Sequence, residues 1–390
     1  MTNEQDKHDS DRPYQLQRLG VIMRGEIGNP HEVMGVLNPA AARGPDGKLY
    51  LFARTVAANN YSRIGIGEVL FNEQGEPMDV RRMGYALEPT ESYEQNQKTA
   101  GCEDPRITFV EPLGYYVMTY AAYGPLGPRI AIAISKDLMA WQRIGPAKFA
   151  FMPSYRVDFD LYDNKDAFLF PKPVRDPHGA WALAMIHRPS HRQGCLLGMP
   201  VVPEGISEAR ASIWISYCSL EPAQRDAANL ADWRDHCLLA TSSAGWEEVK
   251  IGGGTPPVLT AQGWLMLYHG VSGRILLNTD HQPYVNYSAG VLILNEEEPR
   301  KVIYRSTQPI LQPLVTEERQ GIVPNVVFPT GVDLHVNAGK PSYLDVYYGM
   351  ADSCIGAARM SRKPPHLPAR RDCRCRACVA KLANAGGRVV

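Results

Sequence analysis

The chain of 390 residues reads as all-β, and within that class as a five-bladed β-propeller. Three observations predict this. Strand-like segments recur at a nearly constant interval. Each is followed by a run in which small and bulky residues alternate, the mark of an antiparallel strand. Gly (34) and Pro (31) make up about a sixth of the chain, which fits many turns between many short strands.

The recurring segments are Leu49–Val56, Tyr115–Gly124, Trp181–Pro189, Trp264–Val271 and Tyr343–Asp352. With Arg54, Tyr120, His187, His269 and Tyr348 as equivalent points, the intervals are 66, 67, 82 and 79 residues. Their partners are Ile64–Phe71, Arg129–Ser135, Ser212–Tyr217, Ser288–Leu294 and Ile355–Met360. Five such units predict five blades; a pair of sandwiches would repeat so regularly only by accident. The first strand of each pair is expected to line the central channel and to end in a shared axial pocket. Glycines in the second strands are expected to let the chain pack closely near the axis. Residues 14–37 are expected to supply a strand that closes the ring. The domain plan is a polar segment over residues 1–13, the propeller over 14–360, and a basic, cysteine-bearing tail over 361–390. An insertion at about 190–246 enlarges the third unit. Within it, Pro222–His236 carries alanines and charges at helical spacing and predicts a surface helix.

Composition excludes several function classes. Lys+Arg and Asp+Glu are both 41, so the net charge is zero. Nothing draws the whole chain to nucleic acid or to an anionic membrane. No apolar run approaches the roughly 18 residues of a membrane span, and Met1–Arg12 lacks the apolar core of a secretory signal. A cytoplasmic protein is expected, with Cys102, Cys195, Cys218, Cys237 and Cys354 as reduced thiols. Cys373, Cys375 and Cys378 lack an obvious fourth ligand unless His366 serves, so a redox-sensitive tail is expected ahead of a zinc site. No metal or organic cofactor is expected. The run Gly252–Thr255 lacks the lysine and the following helix of a phosphate loop.

The densest chemistry lies in GCEDPRIT, Gly101–Thr108, expected as a loop. Adjacent side chains on an extended chain point opposite ways, so only one of Glu103 and Asp104 is expected to face the pocket. A partly desolvated carboxyl there could hold its proton near neutral pH and act as a general acid. The competing arrangement is an Asp104–Arg106 ion pair within the loop. Arg129, Lys165, His187 and Arg188 form a second, cationic group at strand ends. Converging cations beside a carboxyl need an anion, and phosphate suits them. Asn38, Arg54, His269 and Asp352 supply donors and acceptors for sugar hydroxyls. Tyr120, Tyr123, Tyr268 and Tyr348 are aromatic faces on which a sugar ring could stack.

In order along the chain, GCEDPRIT, YAAYG with RIAIAISKDL, KDAFLFP, IHRP, GGGTPPVLTAQGWLMLYHGV and YYGMAD resemble glycoside hydrolase family 130, the β-mannoside phosphorylases. The resemblance runs from about Asn38 to Ala358 and implies a five-bladed propeller. It implies Asp104 as catalytic acid, Arg129, Lys165 and His187 as phosphate ligands, and Asn38, Arg54 and Asp352 around the mannosyl ring. Glu103, Arg106, Tyr120, Arg188 and His269 complete the expected substrate contacts. The implied reaction is inverting phosphorolysis of a β-mannoside to α-mannose 1-phosphate and a shortened sugar. Phosphate is then a co-substrate, and a homo-oligomer is expected. Phosphate needs no base to activate it, unlike water in inverting hydrolysis. The family also holds hydrolases; that alternative needs a second carboxylate, for which Glu247 and Glu248 are candidates. A non-catalytic sugar-binding propeller would leave Asp104 dispensable. An arabinanase-type enzyme would need three separated acidic motifs, and no such trio is found.

Overall fold

The strands nearest the propeller axis are buried along nearly their whole length, so no polar–apolar alternation marks them in the sequence. The computed structural model describes residues 14–96, 99–191, 202–276, 282–337 and 340–361. Within the unit Gln15–Ser361, five four-stranded antiparallel blades follow one another along the chain. Blade I is Gly35–Arg43, Leu49–Ala57, Tyr61–Phe71 and Pro77–Leu87. Blade II is Ala100–Val110, Tyr115–Gly124, Gly127–Ser135 and Gln142–Pro146. Blade III is Asp163–Leu169, Trp181–Ser190, Ile213–Ser219 and Asp232–Ala240. Blade IV is Lys250–Gly253, Gly263–Gly273, Val285–Leu294 and Val302–Arg305. Blade V is Val327–Asn337, Lys340–Met350 and Cys354–Ser361, completed by Leu16–Arg24 from the other end of the chain. That last pairing closes the ring with the strand expected within residues 14–37. Apolar clusters fill the gaps between neighbouring blades.

The first strand of each blade, not the recurring segment, lines the axis. The five segments expected on the channel are second strands. GCEDPRIT, expected as a loop, belongs to the axial strand Ala100–Val110. The expected helix over Pro222–His236 is also shorter than its pattern suggested. Helix covers only Leu220–Arg225, a 3-10 turn follows at Ala227–Ala231, and Asp232–Ala240 is the outer strand of blade III. Trp233 and His236 are buried there, and this tertiary burial overrides the local preference. Cys102, Cys218, Cys237 and Cys354 are free thiols. Cys195 and the tail from 362 onward lie outside the described residues.

Three blades share one buried clasp. In blade II the Tyr120 hydroxyl donates to Glu94 at 2.6 Å, and Arg143 pairs with the same carboxylate at 2.9 Å. In blade IV, Tyr268 donates to Glu247 at 2.6 Å, and Arg305 pairs at 2.6 Å. In blade V, Tyr348 donates to Glu318 at 3.0 Å, and Arg18 pairs at 2.8 Å. Each carboxylate also accepts two backbone N–H groups from the turn that holds it. All three glutamates are fully buried, and a buried charge persists only when paired and hydrogen-bonded in this way. Gly290 and Gly356, paired with Tyr268 and Tyr348 across the ladder, leave room for the rings: an added Cβ would come within 2.7 Å and 2.9 Å of them. These glycines therefore serve the clasp rather than close packing at the axis.

A histidine couples blade V to pH. His335 Nε2 lies 3.0 Å from Asp333 and 3.1 Å from Asp345. Burial opposes its charge, but the two carboxylates outweigh it and raise its pKa to about 9. A pKa raised above the unfolded value of about 6.5 gives stabilisation that is complete below that pH and is lost as pH rises through 9. His335→Ala is therefore expected to lower the Tm at pH 6, with the variant converging on the wild type near pH 10. A gap in Tm that stays constant across thermal melts over that range would assign His335 to packing instead.

Candidate active site

The axial strands of blades I, II and III break register at matching places. The ladder shifts between Leu37 and Ala40, between Glu103 and Arg106, and between Lys165 and Phe168. At each break one residue takes a left-handed backbone: Asn38 (φ 45°), Asp104 (φ 47°) and Asp166 (φ 57°). Asn and Asp tolerate this region better than other side chains, and a bulge re-aims a side chain that regular alternation would direct elsewhere. All three side chains enter one cavity of about 540 Å³ on the axis. Asp352 (φ 50°) joins them from the turn after the second strand of blade V. Strained backbone concentrated around one cavity marks a functional site.

The bulge explains a departure from the expected geometry. Glu103 and Asp104 both line the cavity, although neighbours on a regular strand would diverge. No Asp104–Arg106 ion pair forms either. Arg106 is 1% exposed and donates to the backbone oxygens of Asp104 (2.9 Å), Pro105 (3.2 Å) and Gly254 (2.5 Å). It braces the bulge from behind and does not line the cavity, contrary to its expected role as a substrate contact.

Two charge clusters line the cavity. In the first, the Asp104 carboxylate accepts from Asn38 Nδ2 at 2.8 Å and from Arg54 at 3.2 Å. Arg54 also reaches Glu103 at 2.9 Å, and Lys165 Nζ binds the other Glu103 oxygen at 2.9 Å. Gly349 abuts this cluster, where a Cβ would lie 2.3 Å from Asn38 Oδ1. In the second cluster Arg188 pairs with Asp166 at 2.5 Å, and His269 Nε2 lies 3.7 Å from the same carboxylate. His269 stacks on Tyr287 and meets the edge of Phe328.

These contacts set the protonation states. Burial acts to raise the pKa of Asp104, but Arg54, Lys165, Arg106 and Asn38 outweigh it and hold the carboxyl below its ordinary value. The expectation of a carboxyl already protonated near neutral pH is therefore not met in the free enzyme. Burial lowers Lys165, but Glu103 and Asp104 raise it further, to about 12. Burial drives His269 down to about 3, so it is neutral. Burial also raises Asp352; Arg54 resists this, Asp104 and Glu103 add to it, and its pKa stands at about 6.

Asn38, Arg54, Glu103, Asp104, Lys165, Arg188, His269 and Asp352 all line the cavity. Tyr120, Arg129 and His187 do not. His187 is fully buried inside blade III, with Nδ1 at Asn164, Nε2 2.7 Å from Ser216 Oγ, and Phe149 and Phe159 against its ring. It is no phosphate ligand in this geometry. Tyr120 is a clasp residue, as are Tyr268 and Tyr348; Tyr123 is the one of the four tyrosines that reaches the cavity. Arg129 pairs at 3.0 Å with Asp163, which lines the wall that Arg129 does not reach. The expected nest of unneutralised cations is replaced by cations that each share a carboxylate.

The displaced residues share a cause. Ladder pairing makes Ala53, Tyr120, His187, Tyr268 and Tyr348 equivalent, with Arg54, Arg188 and His269 one position on. A slip of one residue exchanges the two faces of a strand, so blade-core and pocket residues were aligned together. Asp163, Asp166 and Tyr287 were missed. For Asp166 a signal existed, since an Asn or Asp recurs at the bulge of each of the first three axial strands. Neither of the others carries one.

The family model described as beta-1,4-mannooligosaccharide phosphorylase matches residues 12–363. The chain is 31% identical over 299 residues to the 1,2-beta-oligomannan phosphorylase of Thermoanaerobacter sp. (strain X514), covering 73% of this chain and 80% of that one. It is 28% identical over 290 residues to the beta-1,4-mannooligosaccharide phosphorylase of Ruminococcus albus, covering 74% and 71%. The structure of the beta-1,2-mannobiose phosphorylase of Listeria innocua with beta-1,2-mannobiose superposes with a TM-score of 0.62 at 22% identity, over 89% of this chain and 96% of that one. A structure described under the GH130 family of mannoside phosphorylases, which contains glycoside hydrolases that target beta-1,2 mannosidic linkages in Candida mannan, gives 0.58 at 21%, over 90% and 96%. The axial cavity with its bulged carboxylates thus belongs to a member of glycoside hydrolase family 130.

Proposed function

We propose that the protein catalyses reversible, inverting phosphorolysis of a β-mannoside. The carrying observation is the Asp104 carboxylate fixed at the axis by Asn38 and Arg54, with Lys165 and Arg188 in the same cavity. Phosphate oxygen forms a bond to the anomeric carbon as the bond to the leaving oxygen breaks. Asp104 supplies the proton that the leaving oxygen takes up, directly or through a substrate hydroxyl. The products are α-mannose 1-phosphate and a shortened sugar. Lys165 and Arg188 bind the phosphate, with neutral His269 beside them as a hydrogen-bonding partner. Arg188 and His269 thus take the places of Arg129 and His187 in the expected set. A bound phosphate draws on Lys165, which weakens its hold on the Asp104 carboxylate and favours the protonated acid. Asn38, Arg54 and Asp352 face the mannosyl ring. No metal or organic cofactor takes part in this scheme.

A further carboxyl in the same cavity, that of Asp352, favours hydrolysis as a second reading. Asp352, with its pKa raised to about 6, suits a base that activates water. Glu247 and Glu248, the earlier candidates, do not serve: Glu247 is a clasp residue, and Glu248 binds Gly273 N outside the cavity. Product analysis on a panel of β-1,2- and β-1,4-mannosides, with and without phosphate, separates the readings. Mannose 1-phosphate formed only with phosphate is the expected result. Free mannose at equal rates in both would establish hydrolysis and transfer the base role to Asp352.

A further inference from the structure

The clasp that recurs in blades II, IV and V is left unfinished in blade I. The acid and the arginine are in place. Glu32 is 5% exposed and pairs with both Nε (3.0 Å) and Nη2 (2.7 Å) of Arg82, and it accepts the backbone N–H of Glu26 at 2.8 Å. The ladder sets Arg82 opposite Gly67, as it sets Arg305 opposite Leu292 and Arg18 opposite Ala358. By the same ladder, the position of the clasp tyrosine falls on Ala53, opposite Gly65. Gly65 corresponds to Gly290 and Gly356, the glycines that lie under the tyrosine rings of blades IV and V. A Cβ on either of those would strike a tyrosine ring. A Cβ on Gly65 would meet no ring: its neighbours would be the Thr55 methyl at 3.0 Å and the backbone oxygens of Gly84 and Ala53 at 3.7 and 3.8 Å.

The space that results is a separate cavity of about 190 Å³ between blades I and V, lined by Ala53, Thr55, Gly65, Glu32, Arg82 and Tyr85 among others. An apolar cavity of about 150 Å³ is enough to hold benzene, so the volume suffices for one aromatic ring. Gly65, Gly67 and Gly84 line the slot, with the Thr55 methyl against Gly65. A fixed carboxylate, already bound to arginine, stands where three other blades place the acceptor of a phenolic hydroxyl. We propose that this slot is a binding site for a small hydroxylated aromatic ring, of phenol or 4-methylphenol size, lying against Ala53 and the Thr55 methyl with its hydroxyl donating to Glu32. The inference rests on the blade repeat and is independent of the reaction at the axis.

The test is titration of the full chain with 4-methylphenol, followed by calorimetry and by thermal unfolding. Saturable one-to-one binding with a rise in Tm is expected. Toluene, which lacks the hydroxyl, is expected to bind about ten-fold more weakly. Ala53→Tyr is expected to abolish binding and to raise the Tm without ligand, because the chain then completes its own clasp. Ala53→Leu fills the apolar part of the slot and is expected to block binding even if the tyrosine variant fails to fold. Absence of saturable binding at millimolar 4-methylphenol would overturn the proposal. So would equal binding to the wild type and Ala53→Leu, equal binding of toluene, or competition with mannoside, which would place the ring in the axial cavity.

Discussion

Asp104→Asn is expected to lower kcat/KM for phosphorolysis of an unactivated mannoside by about 10²- to 10⁴-fold, the usual contribution of a general acid. The substitution is nearly isosteric. The amide oxygen can still accept from Asn38, and Arg54 keeps Glu103 as its partner, so the fold and the phosphate dependence should survive. The signature of a lost acid is selectivity for the leaving group. A mannoside with an activated aryl leaving group needs no proton and should lose much less rate than a disaccharide. Equal losses on both substrates, with an unchanged Tm, would show that Asp104 positions the sugar and does not protonate it. Undiminished turnover on both would remove it from the mechanism.

The second large effect is expected at Lys165. Its ammonium binds Glu103 at 2.9 Å at the cavity wall, and the neighbouring carboxylates keep it fully charged at any physiological pH. One charge-assisted hydrogen bond contributes about 1.5–3 kcal/mol, so Lys165→Ala should raise the KM for phosphate by about 10- to 150-fold. The KM for the mannoside should change little. Lys165→Arg keeps the charge but not the geometry and should recover part of the loss. Initial rates over a matrix of phosphate and mannoside concentrations provide the measurement. A phosphate dependence unaltered by Lys165→Ala would place the anion elsewhere and strengthen the hydrolytic reading through Asp352.

The displaced site residues show how far pattern alone reaches. A period near 70–80 residues is a property of the chain itself, and five units of it suffice to name the architecture. Which of two adjacent residues faces the axis is a matter of register, and register depends on the ladder. Arg54 and His269 were aligned with Tyr120, His187 and Tyr348 because each ends a similar apolar run. Only the pairing of Ala53 with Gly65 and of Tyr268 with Gly290 shows that two of the five points are one residue late. The clasp was hidden for a related reason. Glu94, Glu247 and Glu318 sit in short polar turns that look like solvent-facing loops, yet each is fully buried against a tyrosine and an arginine from distant strands.

By itself the sequence determined the number of blades, the closing strand, the cluster of charged side chains around GCEDPRIT, and membership of glycoside hydrolase family 130. These follow from composition, periodicity and local motif, all of which survive without knowledge of contacts. Tertiary structure decided which side chains share the cavity. The bulges at Asn38, Asp104 and Asp166 turn residues inward that alternation would turn away, and each bulge is held by groups far off in the chain, as Arg106 is held by Gly254 O. It also decided the charge state of Asp104. A carboxyl in a pocket titrates according to its neighbours, and the cations that hold Asp104 ionised, Arg54 and Lys165, come from two other blades.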